Sequence, residues 1–247
     1  MDRRANSSPN ERDGGGFQTT HWSLVLRAAG RAEPGADSAL ETLCTRYWYP
    51  LYAYVRRRVA DANEAQDLTQ EFFSRLLEKE YLAVADPQRG KFRCFLLSSL
   101  KHFLANEWRH ARARKRGGGR SFVSVDFAQG ENRYCSEPAD CLTPERLYDR
   151  QWALALLDQT LGRLRAEYAA RGKSPVFDQL KDSLTGQGRP YAELAASLGI
   201  SEAAVKMASH RLRRRYGELL KEAVTHTVAG PKDIDGELQE LLAALRN

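Results

Sequence analysis

The chain has 247 residues, with 38 Lys and Arg against 32 Asp and Glu, a formal net charge of +6. Hydrophobic residues make up 42%, enough for roughly two domains with cores of their own, and the positive balance favours an anionic partner. No apolar run approaches the ~18 residues of a membrane span, and the opening MDRRANSSPNERDGGGF lacks the apolar stretch of a signal peptide, so a cytoplasmic location without a membrane partner is expected.

Residues 1–16 read as a disordered arm, polar and rich in glycine. Thr20 can cap a short helix through Ala29, and a second helix is predicted over SALETLCTRYWYPLYAYVRRRV, where Pro50 should kink or split it. Asp61 offers a cap for ANEAQDLTQEFFSRLLEK, in which Ala65, Leu68, Phe72 and Leu76 recur at helical spacing and define a buried stripe. KFRCFLLSSLKHFLANEWRHARAR forms the next helix, entered after the Asp86-Pro87 break and left near Gly117. Residues 17–116 are thus expected as one all-helical unit.

From residue 117 to 142 the periodicity disappears, glycine and acidic residues accumulate, and only FVSVDF favours extended backbone, which predicts a flexible linker. Thr143 followed by Pro144 and Glu145 starts a helix that reaches toward Gly172 and opens a second helical unit at 143–224. Ser174-Pro175 starts another, and DGELQELLAAL closes a helical tail over 225–247. The fold class is all-α: two helical domains joined by a linker.

Cys44, Cys94, Cys135 and Cys141 lack the short paired spacing that presents thiolates to zinc, and no His-x-x-x-His or Cys-x-x-Cys unit occurs. Reduced thiols, no metal and no cofactor are expected. Asp67 and Glu71 are spaced like paired carboxylates, but no histidine or third carboxylate completes an acid/base or metal site. An enzyme is therefore not expected.

YAELAASLGI followed by SEAAVKMASHRLRRRY has what two helices meeting at a sharp bend require. Leu194 and Leu198 anchor the first helix, Ala195 is the small contact, Gly199 can take the positive backbone angle of the turn, and Ser201 caps the second helix. Val205, Ala208, Leu212 and Tyr216 form the inward stripe of that second helix. Lys206, Met207, His210, Arg211, Arg213 and Arg214 are left on outward or flanking positions, as in a helix-turn-helix facing a DNA groove. A helical hairpin with a solvated basic face is the alternative.

PYAELAASLGISEAAVKMASHRLRRRYGELL resembles the domain of extracytoplasmic-function sigma factors, within the sigma-70 family, that recognises the minus-35 promoter element. DANEAQDLTQEFFSRLL is similar to the helix by which that family docks on the clamp of RNA polymerase. The resemblance implies a region 2-like unit at 17–116, which binds core polymerase and the minus-10 element, and a region 4-like unit at 143–224. It implies core RNA polymerase and promoter DNA as partners. Asp67, Gln70, Glu71 and Ser74, at i, i+3, i+4 and i+7, form the polar face that would meet polymerase. In the next helix Phe92, Phe95, Phe103 and Trp108 are interleaved with basic residues, a combination that attracts phosphates and stacks on unpaired bases, although the aromatic spacing also fits a packed face. The implied minus-10 contacts are Arg93, His102, Asn106, Arg109 and Arg112; His102 stands where the family often has asparagine and Asn106 where it often has aspartate.

The resemblance gives the linker acids Asp126, Glu131, Glu137 and Asp140 a role in imitating nucleic acid inside a basic channel, and a solvated tether explains them equally well. An anti-sigma protein, or a kinase acting on a site such as Thr69, is a further candidate regulator. Ile234, Leu238, Leu241, Leu242 and Leu245 share one face of the tail, which should dock on the protein or on a regulator. The alternative to a sigma factor is a helix-turn-helix regulator that binds duplex DNA without entering polymerase.

Overall fold

The computed structural model describes residues 36–77, 90–111, 126–136 and 142–246. The N-terminal arm and the helix expected from Thr20 to Ala29 lie outside them. The regular secondary structure of the described residues is all helical, without a strand.

Helix α1 (Ala36–Arg58) runs through Pro50 without being split. A proline removes one helical hydrogen bond and crowds the preceding turn. Here Pro50 is itself buried, and the run Leu51, Tyr52, Ala53, Tyr54 and Val55 behind it is fully buried, so packing on several sides holds the helix through the defect. Helix α2 (Ala62–Leu77) is capped as expected: the Asp61 carboxylate accepts from Asn63 N–H at 3.3 Å and Glu64 N–H at 3.2 Å. Helix α3 (Phe92–Ala111) completes the first group, burying Phe92, Leu96, Leu100, Phe103 and Leu104.

The segment expected as a linker contains a further helix, α4 (Phe127–Cys135), whose Asp126 cap accepts from Gln129 N–H at 2.9 Å. Of the predicted extended stretch at 122–127, residues 122–125 lie outside the described ones and Phe127 opens this helix. Tertiary contact explains why local periodicity failed to show it. Gly130 lies so close to α1 that a Cβ there would meet Trp48 at 2.6 Å. Phe127 sets its ring edge-on to Trp48 and Tyr52, and Arg56 pairs with Glu131 at 3.0 Å.

Helix α5 (Pro144–Ala170), capped by Thr143, has 27 residues and spans ~40 Å. Its first half packs on α1, where Trp152 stacks on Tyr47 with centroids 4.3 Å apart. Its second half enters a different cluster with Leu164. Helix α6 (Ser174–Leu180) and a 3-10 turn (Lys181–Leu184) follow, then α7 (Tyr191–Leu198), α8 (Glu202–Thr225), a second 3-10 turn (Pro231–Asp233) and α9 (Ile234–Arg246).

Two apolar clusters result. The first joins α1, α2 and α3 to Leu147, Tyr148, Trp152, Ala153 and Leu156 of α5, and to Ala223, Val224, Val228 and Leu241 near the C-terminus. The second gathers Leu164, Phe177, Leu180, Leu194, Ala195, Val205, Leu212 and Leu219. The division between clusters falls inside α5, because a helix this long packs two separate stretches against different neighbours. The tail returns to the first cluster: Leu241 is buried, with Ile234, Leu238 and Leu245 partly so, whereas Leu242, expected on the same face, is 44% exposed.

Candidate nucleic-acid interface

Helices α7 and α8 meet around the residues that the sequence singles out for a bend. Leu194 and Ala195 are buried, Leu198 is half-buried, and Gly199 has φ 65°, a left-handed conformation in which a Cβ is strained. The Gly199 and Ile200 N–H groups both donate to Ala195 C=O, closing the end of α7. Ser201 then caps α8, its hydroxyl accepting from Ala204 N–H at 3.2 Å. Val205 and Leu212 are fully buried, Ala208 and Tyr216 half-buried, and Ser209 joins them inside. The Tyr216 hydroxyl donates to Leu157 C=O of α5 at 3.3 Å.

The opposite face of α8 carries Lys206, Met207, His210 and Arg211, all exposed, with Met207 at 54%. None of the four makes an ion pair or side-chain hydrogen bond to another described residue. The next arginines along the helix differ. Arg213 donates through Nε to Ser183 C=O at 3.2 Å, Arg214 pairs with Glu218 at 3.0 Å, and Arg215 is held by Glu167 at 2.7 Å and Glu222 at 3.4 Å. The Arg215 hydrogen bond holds the Glu167 carboxyl below its ordinary range. The bottom of α8 is thus fastened to α5, while Lys206 and Arg211 nearer its start stay unpaired among the described residues.

The five residues implied for the minus-10 element separate. His102, Asn106 and Arg109 succeed one another on the outer face of α3; Asn106 Nδ2 lies 3.4 Å from His102 Nδ1, and Arg109 donates to Asn106 Oδ1. Arg112 lies outside the described residues. Arg93 does not belong to that face: it is 7% exposed and clamped through Nε to Glu237 at 2.7 Å, through Nη2 to Glu240 at 2.5 Å, and through Nη1 to Asp149. Burial disfavours its charge, the Glu237 hydrogen bond and the nearby charges of Glu237 and Asp149 together outweigh burial, and the guanidinium is held more firmly protonated than usual. The reason is positional. Residue 93 is three before Leu96 and seven before Leu100, both buried, so it lies on the packed side of the helix. Beside it Lys91, which the sequence pattern does not single out, contacts Glu237 at 2.9 Å and Glu240 at 2.6 Å; two cations bracketing the first residue of a helix were the available signal.

On α2, Asp67 is exposed, and Gln70 and Glu71 are partly so. Glu71 pairs with Arg75 at 3.0 Å, and Arg75 reaches Glu107 of α3 at 2.6 Å. Ser74 leaves the expected polar face: it is 8% exposed and its Oγ has no hydrogen-bond partner among the described residues. Because α2 packs against both α1 and α3, its buried arc is wider than the single stripe of the sequence pattern, taking in Thr69, Phe73 and Ser74 and leaving Leu68 half-buried. Thr69 is fully buried with its hydroxyl donating to Ala65 C=O at 2.7 Å, so it is not a site that a kinase reaches on the folded chain.

Two linker acids also have internal uses: Asp126 caps α4, and Glu131 accepts from Arg56 and from the Tyr52 hydroxyl. Glu137 and Asp140 lie outside the described residues. Among the described residues no group of three or more His, Cys, Asp or Glu could hold a metal, and no helix is long and apolar enough to cross a membrane.

Residues 43–114, under a third of the chain, match the family model described as Sigma-70 region 2. The match covers α2, most of α1 and α3 to its end. Neither a curated protein nor a solved structure matches the chain significantly.

Proposed function

We propose that this chain, carrying a sigma-70 region 2 over residues 43–114, is a sigma factor of the extracytoplasmic-function type, which binds core RNA polymerase and directs initiation at promoters with minus-10 and minus-35 elements. The region 2 match carries the reading, since it supports a role in polymerase binding and promoter melting. Members of the sigma-70 family act as initiation factors and not as enzymes, in keeping with the lack of a completed catalytic constellation in the sequence. Asp67, with Gln70 and Glu71 beside it, offers polymerase an acidic helix face. The α7–α8 pair acts as a helix-turn-helix: Lys206, Met207, His210 and Arg211 approach base edges of the minus-35 element, and Ser201, Arg213 and Arg214 take its phosphates. His102, Asn106 and Arg109 face the minus-10 element.

The test adds the purified chain to core RNA polymerase and measures promoter-dependent transcripts. A DNA-binding regulator that stays outside polymerase would shift DNA without conferring initiation. Reversing charge at both Asp67 and Glu71 should abolish capture of core polymerase with the helical circular dichroism unchanged, because exposed substitutions of this kind typically change stability by only ~0.5 kcal/mol. Undiminished capture by the double variant would remove α2 from the interface.

A further inference from the structure

Inside the cationic face of α8 lies a small apolar row. Met207 is 54% exposed, the most exposed of the large apolar side chains among the described residues. One exposed apolar side chain is ordinary on a protein surface, so its setting carries the meaning. Ile200, 41% exposed, has a local use: it precedes the Ser201 cap, a position whose apolar side chain commonly packs on the fourth helical residue, here the buried Val205. Met207 has no such use. One turn before it stand Ala203, exposed, and Ala204, half-buried, and a helical side chain leans over the turn on its N-terminal side. Lys206 precedes it, and His210 and Arg211 follow by three and four residues; none of these three makes an ion pair or side-chain hydrogen bond to another described residue. A thioether over a methyl group is thus ringed by polar side chains.

Major-groove edges differ in what they ask of such a surface. Adenine shows N7 and an amino group, guanine N7 and O6, cytosine an amino group, and thymine O4 and a C5 methyl. A thioether and a methyl group offer no N–H and at best a weak acceptor. Pressed against an amino group or O6 they would strip its water and return no hydrogen bond, whereas against a C5 methyl they bury apolar surface on both sides. Gain at thymine and cost elsewhere act in the same direction. The cations beside Met207 suit the neighbouring positions, since lysine and arginine donate to the acceptors of guanine. Four residues of helix rise roughly 6 Å, about two base-pair steps at ~3.4 Å each, so the bases met by Met207 and Arg211 are near neighbours.

We propose that Met207, lying over Ala203, selects a thymine of the minus-35 element by its C5 methyl group. It rests on the reading of α7–α8 as a helix-turn-helix within a sigma factor, and adds to it the base that one side chain reads. That thymine stands within about two base pairs of the position read by Arg211.

The test forms holoenzyme from the full chain and core polymerase, selects its preferred minus-35 sequence from a randomised duplex, and replaces each thymine in turn by deoxyuridine, which lacks only the C5 methyl. One replacement, within about two base pairs of the position that Arg211→Ala relaxes, should weaken binding about fourfold, the worth of one buried methyl group. Met207→Ala should bind the thymine and deoxyuridine duplexes equally, while Met207→Leu, still apolar, should keep the preference. Should Met207→Ala bind too weakly to compare them, Met207→Gln decides: of similar length, with a donor and an acceptor, it should lose the methyl preference. An unaltered chain indifferent to every replacement overturns the proposal, as does a preference that survives in Met207→Ala or Met207→Gln. Holoenzyme that forms but selects no minus-35 sequence removes the helix-turn-helix reading and the proposal with it, and failure to form holoenzyme removes the sigma-factor reading as a whole. A selected sequence without methyl dependence removes the proposal alone.

Discussion

The two apolar clusters use their charged and aromatic residues in opposite ways. In the first, Tyr47, Tyr52, Tyr54, Tyr148 and Trp152 fill the interior, and the arginines and lysines around it are matched to carboxylates: Arg56 to Glu131, Lys101 to Glu145, Arg93 to Glu237. Burial pushes the Tyr54 phenol up to about 12 and Glu145 adds to the effect, so the hydroxyl stays neutral within the core. The second cluster is largely aliphatic, and the cations on the first turns of α8 face outward with no carboxylate paired to them among the described residues. A net positive charge shared by the whole sequence is therefore distributed unevenly. Around the first cluster it holds distant segments together; around the second it does so only at Arg163, Arg213 and Arg215, while Lys206 and Arg211 on α8 stay unpaired among the described residues.

Removing the aromatic keystone should do most to break the contrast. Trp152→Ala should cost about 3–5 kcal/mol in denaturant unfolding, since Trp152 is 1% exposed and touches Tyr47, Phe92 and Tyr148. Trp152→Phe should cost much less, because it keeps a ring and deletes an indole N–H that has no partner among the described residues. Similar losses from both would mean that the ring stacking is not what holds the first cluster.

Gly130→Ala tests whether α4 is a docked part of that cluster or a tether. Its new Cβ would lie 2.6 Å from Trp48, against a rigid ring, and should cost about 1–3 kcal/mol. A neutral substitution would show that α4 is not seated on α1 in solution.

The open region is probed by a pair. Arg211→Ala should cost about 1–3 kcal/mol in promoter binding and relax preference at one position of the minus-35 element. Arg214→Ala should weaken binding to all sequences alike and reduce the slope of log affinity against log salt by roughly one unit. Holoenzyme on a promoter library over a salt series separates the two. Uniform losses from both would reduce α8 to a source of charge without sequence readout.

Mild acid should give the smallest effect. Arg215 lowers Glu167, and Lys101 lowers Glu145, from the ordinary 4.5. A carboxyl whose folded value is depressed contributes stability that is complete above its unfolded value and is lost as pH falls through the folded one. The stability carried by both pairs should therefore decline below about pH 4.5. Asp149 runs the other way, since burial raises it despite Arg93. Unfolding midpoints from pH 6 to 3 should show the net loss, and Glu167→Gln should reduce its size.

Much of the molecule was legible from sequence alone where a local rule is strong. Asp61, Thr143 and Ser201 announce their helices because a side-chain oxygen satisfies the same N–H groups in any fold, and Gly199 marks its turn because only glycine takes φ 65° without strain. The inward and outward faces of α8 came from the 3.6-residue period. Tertiary structure decided the rest. Helix α4 exists where Gly130 fits beneath Trp48, a fact no local pattern states. Ser74 and Thr69 are buried because α2 has two neighbours instead of one. Arg93 reads as a cation for DNA until Glu237, 144 residues later, is brought against it. Periodicity fixes which side of a helix is apolar; only the folded chain determines which charge meets which, because ion pairing depends on distance in space and carries no signature along the sequence.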